Sequence, residues 1–304
     1  FPSDLYAIKT HLTHHGLDPA DALLVVGPRE GEHTVRTEDI EDRIERDGDR
    51  IALVLIAGIN FFTGQAQDMP RIAAAARRRG CNIGFDLAHA AGNIPLSLHD
   101  WDADFAVWCS YKYLNSGPGA VAGCFVHECH ARRTDLPRFA GWWGNDPATR
   151  FEMLRRLEFV PRDGADGWQI SNPPILTMAP LRASLTMFDE IGMAALRAKS
   201  ERLTGYLQFL IDDIQSAGGS KESCGTGFQP GRYEVITPRD PAARGCQLSI
   251  LVHDRPKELF ESLRAAHIIG DFREPNVIRI APTPLYNTFQ EVWRFSRILG
   301  GEQV

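Results

Sequence analysis

Runs of apolar residues alternate with amphipathic, alanine-rich segments along the first half of the chain. Residues 51–57 form a continuous run rich in β-branched side chains, which predicts a strand buried on both faces of a parallel sheet. Residues 69–79 predict a helix that ends at a glycine, and short strands follow at 82–85 and 105–108. This order of strand, helix and strands predicts an α/β fold with a mostly parallel sheet.

The rest of the chain carries further helical and strand patterns. The helices are predicted at 5–15, 38–47, 180–191, 193–217, 256–266 and 288–299, and the strands at 120–126, 247–252 and 277–281. Asp4 and Thr37 are the expected caps of the first two helices. The strand at 120–126 is expected to run antiparallel along the same sheet.

A polar, glycine-rich stretch at 218–232 is the best candidate for a domain boundary. It divides the chain into a large domain at 1–217 and a small α+β domain at 218–304. The chain opens on Phe1-Pro-Ser-Asp4 with no initiator methionine and runs at once into a helix. We therefore expect it to be the later part of a longer protein.

Composition narrows the function only by exclusion. The 304 residues carry a formal net charge of -6 with a pI near 5.9, and no broad cationic surface for nucleic acid is expected. The longest apolar run, 51–59, is too short to span a bilayer, and no signal peptide is recognisable. Six sparse cysteines fit reduced thiols better than a disulfide framework. These features predict a cytoplasmic protein that binds neither nucleic acid nor a membrane.

Polar side chains follow the predicted strands where the carboxyl ends of a parallel sheet hold ligands. Asp86 ends one strand, His89 follows it, and Tyr111 and Lys112 follow the next strand. Partial burial disfavours the ammonium form of a lysine, as Schiff-base chemistry requires. An aspartate at the end of a buried strand needs a cationic partner, such as a protonated pyridine nitrogen. Lys112 and Asp86 thus suit pyridoxal 5'-phosphate, although a surface lysine and a helix-capping aspartate are the alternatives.

The stretch GFDLAHAAGNIPLSLHDWDADFAVWCSYKYLNSGPG at residues 84–119 resembles the cofactor-binding core of the kynureninase family. Further matching motifs span the whole chain: FPSD at 1–4, PREGE at 28–32, GWWG at 141–144, ISNPPIL at 170–176, RGCQLSI at 244–250 and IRIAPTPLYN at 278–287. The resemblance implies a fold-type-I, transferase-like fold that uses pyridoxal phosphate. It also implies hydrolysis of L-kynurenine or 3-hydroxykynurenine, in tryptophan catabolism and the kynurenine pathway to NAD, to anthranilate or 3-hydroxyanthranilate plus L-alanine.

The resemblance also assigns roles to individual residues. Lys112 would form the Schiff base with the cofactor and move protons, and Asp86 would pair with the pyridine nitrogen. Tyr111 would bind the phosphate and, as a second catalytic residue, help in proton transfer. His89 would lie close to the cofactor ring, and Phe1 would lie on the face of that ring with Asp4 nearby. Trp142 and Asn172, with Ser171 beside them, would enter the pocket from the partner subunit of a homodimer. Arg279 would bind the substrate carboxylate. An arginine suits that last role because its planar guanidinium binds a carboxylate with two hydrogen bonds. Without the resemblance, packing or surface roles would be the simpler interpretation for Tyr111, His89, Trp142 and Arg279.

Two departures from the family pattern and three alternatives stay open. The turn that holds the cofactor phosphate in relatives lies upstream of the FPSD motif and is not in this sequence, and Ala57 stands where some relatives place a serine. The alternatives are another fold-type-I enzyme such as a desulfurase or aminotransferase, a non-catalytic fragment or binding module, and a metal hydrolase built on His89, His127 and Cys124. The run Cys124 to His130 offers no second ligand pair at a spacing suited to zinc, so no metal is expected.

Overall fold

The computed structural model describes residues 1–217 and 233–301 of the chain. The helices are α1 (Pro2–His14), α2 (Pro19–Ala22), α3 (Thr37–Asp47), α4 (Met69–Arg78), α5 (Ile175–Ile191), α6 (Met193–Ala217), α7 (Pro256–Ala265) and α8 (Phe289–Leu299). The strands are β1 (Leu53–Ala57), β2 (Asn82–Asp86), β3 (Phe105–Trp108), β4 (Gly123–Val126), β5 (Tyr233–Val235), β6 (Leu248–Val252), β7 (Asp271–Arg273) and β8 (Val277–Ile280). Among these helices, none combines the length and the apolar composition needed to cross a bilayer.

The chain forms two compact units, each assembled from separate stretches of sequence. The first unit comprises Phe1–Ile40, Ile59–Gln67 and Gly192–Val304, and the second comprises Glu41–Gly58 and Asp68–Ile191. Each unit contains one four-stranded sheet.

The predicted domain boundary, at 218–232, lies outside the described residues. Helix α6 before it and strands β5 to β8 after it are described, and all of them belong to the first unit. The predicted division into 1–217 and 218–304 stays a prediction.

The sheet of the second unit has the order β1-β2-β3-β4. Strands β1, β2 and β3 are parallel, and β4 runs antiparallel to β3, which confirms the predicted mixed sheet. Helix α4 buries its apolar face, and it ends where Gly80 takes a positive φ of 69°. The carboxyl ends of β2 and β3 therefore lie side by side, and the loops that follow them carry the predicted chemistry.

The sheet of the first unit is antiparallel throughout, in the order β5-β6-β8-β7. Helices α6, α7 and α8 contribute to one hydrophobic core with it, which includes Leu203, Leu207, Leu248, Ile250, Leu259, Leu263, Ile278 and Phe295. The predicted strands and helices of the C-terminal region are confirmed to within about two residues. Strands β5 and β7, each three residues long, carry too short a pattern for detection and were not predicted.

Three sequence predictions are wrong in detail. Strand β1 is not buried on both faces, since Leu53 is 45% exposed, and β1 is the outermost strand of the sheet in the described part of the chain. Helix α5 begins at Ile175 rather than at Pro180, which lies inside the helix. Asp4 does not cap α1, because the helix already begins at Pro2 and Asp4 lies in its first turn. Proline favours the first turn of a helix, which explains the earlier start of α1.

Candidate active site

Lys112 lies in the loop that connects β3 to β4, and it is half-buried. The loop is closed across its middle by two buried serines. The Ser110 hydroxyl donates to the carbonyl of Val121 at 2.5 Å, and the Ser116 hydroxyl donates to the Ser110 oxygen at 2.7 Å. The Ser116 amide also donates to the Ser110 carbonyl at 3.2 Å. These bonds fix both ends of the short segment that carries the lysine.

Two further contacts fix the backbone just after the lysine. The Asn115 amide donates to the Lys112 carbonyl at 3.0 Å, with Asn115 in the left-handed conformation at φ 55°. The hydroxyl of Ser184, a buried residue of α5, donates to the carbonyl of Leu114. Because the loop is bonded to a helix as well as to itself, the amine of Lys112 extends from a rigid support.

The turn after β2 packs directly against the lysine loop. An oxygen of the Asp86 carboxylate accepts a hydrogen bond from the Ala88 amide at 2.8 Å, which orients this side chain at the strand end. The His89 ring lies 5.9 Å from the Tyr113 ring, between centroids. Gly92 has a φ of 79°, and a Cβ placed there would lie 2.8 Å from the Tyr113 carbonyl oxygen. The close approach of the two segments thus requires a glycine at this position.

Tyr111 lies beside Lys112 with 53% of its surface exposed. The negative charge of a Cys109 thiolate, a hydrogen bond to that sulfur and burial all raise the pKa of the Tyr111 phenol above its usual value of 10. The Cys109 sulfur also contacts the Ala88 carbonyl at 3.9 Å. Tyr111 therefore keeps its proton at neutral pH and can act as a hydrogen-bond donor.

Trp142 and the segment that contains Ser171 and Asn172 form a second group in the same unit. The Trp142 ring packs edge-on against Trp143, with centroids 5.2 Å apart. The Trp143 amide lies 3.5 Å from the Ile170 carbonyl, which joins the two segments. Ser171 and Asn172 are exposed, and the Ser171 hydroxyl donates to the Asn172 side-chain oxygen at 3.2 Å.

Phe1, Asp4 and Arg279 belong to the other unit, where Phe61 lies next to two of them. The Phe1 ring packs edge-on against the Phe61 ring at 4.9 Å, and the Arg279 guanidinium donates to the Phe61 carbonyl. Asp4 lies in the first turn of α1, where its amide donates to the Phe1 carbonyl at 3.0 Å. The structure thus brings the predicted residues together in three groups, and their functional roles stay predictions.

One cluster of donor atoms resembles a metal site, but its residues are not those of the metal hydrolase considered from the sequence. Within the described parts of the chain, donor atoms of Asp104, Cys129 and His130 lie within 4.8 Å of one another. The Asp104 carboxylate already contacts the His130 ring at 2.6 Å, the Arg77 guanidinium at 3.0 Å and a backbone amide at 2.7 Å. A guanidinium beside the carboxylate opposes a second positive charge, so these contacts are those of a structural ion pair.

His127 and His89, the histidines of the proposed metal hydrolase, lie in other surroundings. The His127 ring stacks on His99 at 4.9 Å, and its Nδ1 accepts a hydrogen bond from the Cys129 amide at 3.2 Å. His89 packs against Tyr113 in the lysine region.

Sequence reasoning missed three residues that shape these groups. Ser184 lies 70 positions from the carbonyl it binds, and no local pattern marks it. Gly92 is one of several glycines, and only the packed turn shows that it is required. Asp271 contacts Arg279 across two strands, and the three residues of β7 are too few for their pattern to mark this pair.

Comparison with solved structures gives the fold. A cysteine desulfurase from Thermococcus onnurineus matches with a TM-score of 0.76 at 17% identity, covering 98% of this chain and 69% of that one. A C-DES mutant with glycine covalently linked to its PLP cofactor matches with a TM-score of 0.76 at 15% identity, covering 100% of this chain and 72% of that one. The fold is the fold-type-I, aminotransferase-like fold of pyridoxal-phosphate enzymes.

Comparison of sequences gives the family. The family model for the kynureninase C-terminal domain matches residues 196–299, and the aminotransferase class-V model matches residues 20–130. Kynureninase from Myxococcus xanthus is 54% identical over 99% of this chain and 67% of its own length, and kynureninase from Koribacter versatilis is 52% identical over 97% and 66%. The chain thus spans about two thirds of the length of these curated relatives. At this identity over nearly every residue, the chain belongs to the kynureninase family.

Proposed function

We propose that this protein uses pyridoxal 5'-phosphate to hydrolyse L-kynurenine or 3-hydroxykynurenine, releasing anthranilate or 3-hydroxyanthranilate together with L-alanine. One observation carries the proposal. In a chain 54% identical to a kynureninase, the rigid loop of Lys112 packs against the turn of Asp86 at the ends of adjacent parallel strands. The same two side chains suit the aldehyde and the ring nitrogen of pyridoxal phosphate.

The residues present fit this cofactor. Lys112 is half-buried on a loop whose backbone is fixed by the five hydrogen bonds given above. Its amine is therefore pre-oriented for an aldehyde. The Asp86 carboxylate, oriented by the Ala88 amide, would hold a proton on the pyridine nitrogen. When bound, the cofactor would supply an electron sink for cleavage of the Cβ–Cγ bond. The protein would supply orientation and proton transfer.

Each polar residue of the first group has a specific part in that scheme. Once its amine is free, Lys112 would take the proton from Cα of the substrate and deliver a proton to C4' of the cofactor. Tyr111, which keeps its proton, would donate a hydrogen bond to the cofactor phosphate. His89 would lie against the ring of the cofactor. Its own ring packs on Tyr113, which belongs to the lysine loop.

The other two groups would bind the rest of the ligand. Arg279 would hold the substrate α-carboxylate, because a guanidinium forms paired, charge-assisted hydrogen bonds with it. The remaining proposed contacts come from Phe1 and Asp4 at the cofactor face, and from Trp142, Ser171 and Asn172 in the pocket of a homodimer with a shared active site. The protein is proposed to act in the cytoplasm on this small-molecule substrate.

A direct product assay tests the proposal. The product of the complete gene, loaded with pyridoxal phosphate and supplied with L-kynurenine, is expected to release equal amounts of anthranilate, detected by fluorescence, and L-alanine. Lys112→Ala should abolish release, whereas Lys257→Ala should not, since Lys257 is an exposed lysine paired with Glu274 at 3.0 Å.

Borohydride reduction of the loaded protein adds a readout that does not depend on turnover. Reduction is expected to leave the cofactor covalently attached to the peptide that contains Lys112. A loaded protein that releases alanine from cysteine sulfinate or another amino acid, but no anthranilate from kynurenine, would favour a different fold-type-I activity. A protein that takes up no cofactor label would favour the non-catalytic alternative.

A further inference from the structure

Asp271 and Arg279 face each other across two antiparallel strands. They are directly paired in the register of β7 and β8. The Asp271 Oδ2 atom lies 2.6 Å from Nε and 2.5 Å from Nη2 of Arg279, so it contacts one edge of the guanidinium. The Arg279 side chain is only 11% exposed, whereas that of Asp271 is 45% exposed. A cation this buried needs an anion nearby, and Asp271 provides one.

The other side of the same guanidinium is fixed by backbone. Nη1 of Arg279 donates to the carbonyl of Phe61, which also accepts a hydrogen bond from the Gln247 side chain at 3.2 Å. Phe61 is the residue whose ring packs against Phe1. The guanidinium is thus bonded at two of its edges, and its orientation is set by β7 and by the segment that contains Phe61.

A second arginine shares the Asp271 carboxylate. Nε of Arg273 donates to Asp271 Oδ2 at 2.8 Å, and the Arg273 guanidinium lies 5.8 Å from the Phe61 ring centroid. Two arginines and one aspartate sum to a single positive charge. The aspartate therefore does not neutralise the group, which keeps its attraction for an anion.

We propose that Asp271 is a positioning residue that holds the Arg279 guanidinium in the orientation that receives the substrate α-carboxylate, with Arg273 leaving a net positive charge on the group. This inference rests on the proposed function. A free arginine side chain loses considerable rotamer entropy when it binds a ligand, and Asp271 imposes that order before the substrate arrives. If Asp271 were instead an internal anion that the substrate must displace, its removal would lower KM rather than raise it.

The test compares steady-state kinetics of the cofactor-loaded gene product with those of Asp271→Ala and Asp271→Asn. Loss of the anchoring carboxylate is expected to raise KM for kynurenine by about tenfold or more in Asp271→Ala, and less in Asp271→Asn, which keeps an acceptor oxygen. The value of kcat should change by less than about threefold, since the carboxylate contact is made in the ground state as well as in the transition state. The matched control is Glu258→Gln, which removes an exposed carboxylate paired with Arg255 at 3.2 Å and should leave both constants unchanged.

Added formate separates positioning from a merely structural effect. In Asp271→Ala, formate fills the place of the lost carboxylate and should lower KM, whereas in the unaltered protein it competes with the substrate and should raise KM. Thermal unfolding of each variant checks folding, and Asp271→Asn, which preserves side-chain shape, serves if Asp271→Ala is unfolded. An unchanged or lowered KM in a folded variant would overturn the inference while leaving the proposed function standing. Absence of kynurenine hydrolysis by the unaltered protein would overturn both.

Discussion

Replacing Gly92 by alanine should disturb the lysine loop from a position outside it. Gly92 has a φ of 79°, and an alanine held in this left-handed region costs about 1 to 2 kcal/mol. The new Cβ would also lie 2.8 Å from the Tyr113 carbonyl oxygen and 2.9 Å from its carbonyl carbon. These are backbone atoms, so the loop itself must move, and overpacking of this kind costs about 1 to 3 kcal/mol.

The two costs can be separated because the chain offers a matched control. Gly117 lies in the same loop with a φ of 85°, and a Cβ there would meet nothing within 4 Å. Gly117→Ala should therefore lose only the backbone term of about 1 to 2 kcal/mol, whereas Gly92→Ala should lose about 2 to 5 kcal/mol in all. Chemical denaturation of the two variants and of the unaltered protein measures the difference.

The displacement should also reach the cofactor site, because Tyr113 directly follows Lys112. A shift of about 1 Å at a reacting group can lower a rate by about a hundredfold. We expect Gly92→Ala to reduce kcat for kynurenine by about tenfold or more and to weaken cofactor binding, measured by absorbance titration, while Gly117→Ala has a smaller effect on both. Equal losses of stability and of cofactor affinity in the two variants would refute the inferred contact between the segments.

Four further predictions concern charge and capping. Asp86→Asn keeps an oxygen that can accept the bond from the Ala88 amide but loses the negative charge, so kcat should fall by about a hundredfold or more while the fold is retained, as kinetics and circular dichroism would show. Replacing Cys109 by serine should return the raised pKa of Tyr111 toward 10, measured by ultraviolet titration of the phenolate. Removing the Thr288 hydroxyl, which caps α8 in a capping box, should cost about 1 kcal/mol in denaturation experiments. Hydrogen bonds from Thr288 hold the pKa of Glu291 below its usual value, so the stability that Glu291 adds should be full above about pH 5 and should fall as the pH drops through the lowered pKa.

The sequence predicts what depends on local pattern. Strands β2 and β3 are short apolar runs, so their ends, and with them Asp86 and Lys112, could be placed before the structure was known. Likewise, the antiparallel strand β4 could be predicted because a second apolar run follows the lysine loop.

What the sequence does not predict depends on register or on distant contacts. The pair of Asp271 and Arg279 exists only because a three-residue strand aligns with β8, and no periodicity can be measured over three residues. The bond from Ser184 to the lysine loop spans 70 positions and carries no pattern of its own. Leu53 is exposed in the outermost strand of the described sheet, and an apolar run cannot show which strand is outermost.

The serine bridge between Ser110 and Ser116 bears on how this loop can vary in length. It separates a lysine-bearing part, between the two serines, from an outer part that runs on to β4. Residues inserted after Gly117 would lengthen only the outer part, because Trp108 stays paired with Gly123 and the bridge stays closed. Residues inserted before Ser116 would open the bridge and release the amine. We therefore expect natural or engineered insertions to be tolerated at the outer part and to inactivate the protein in the inner one.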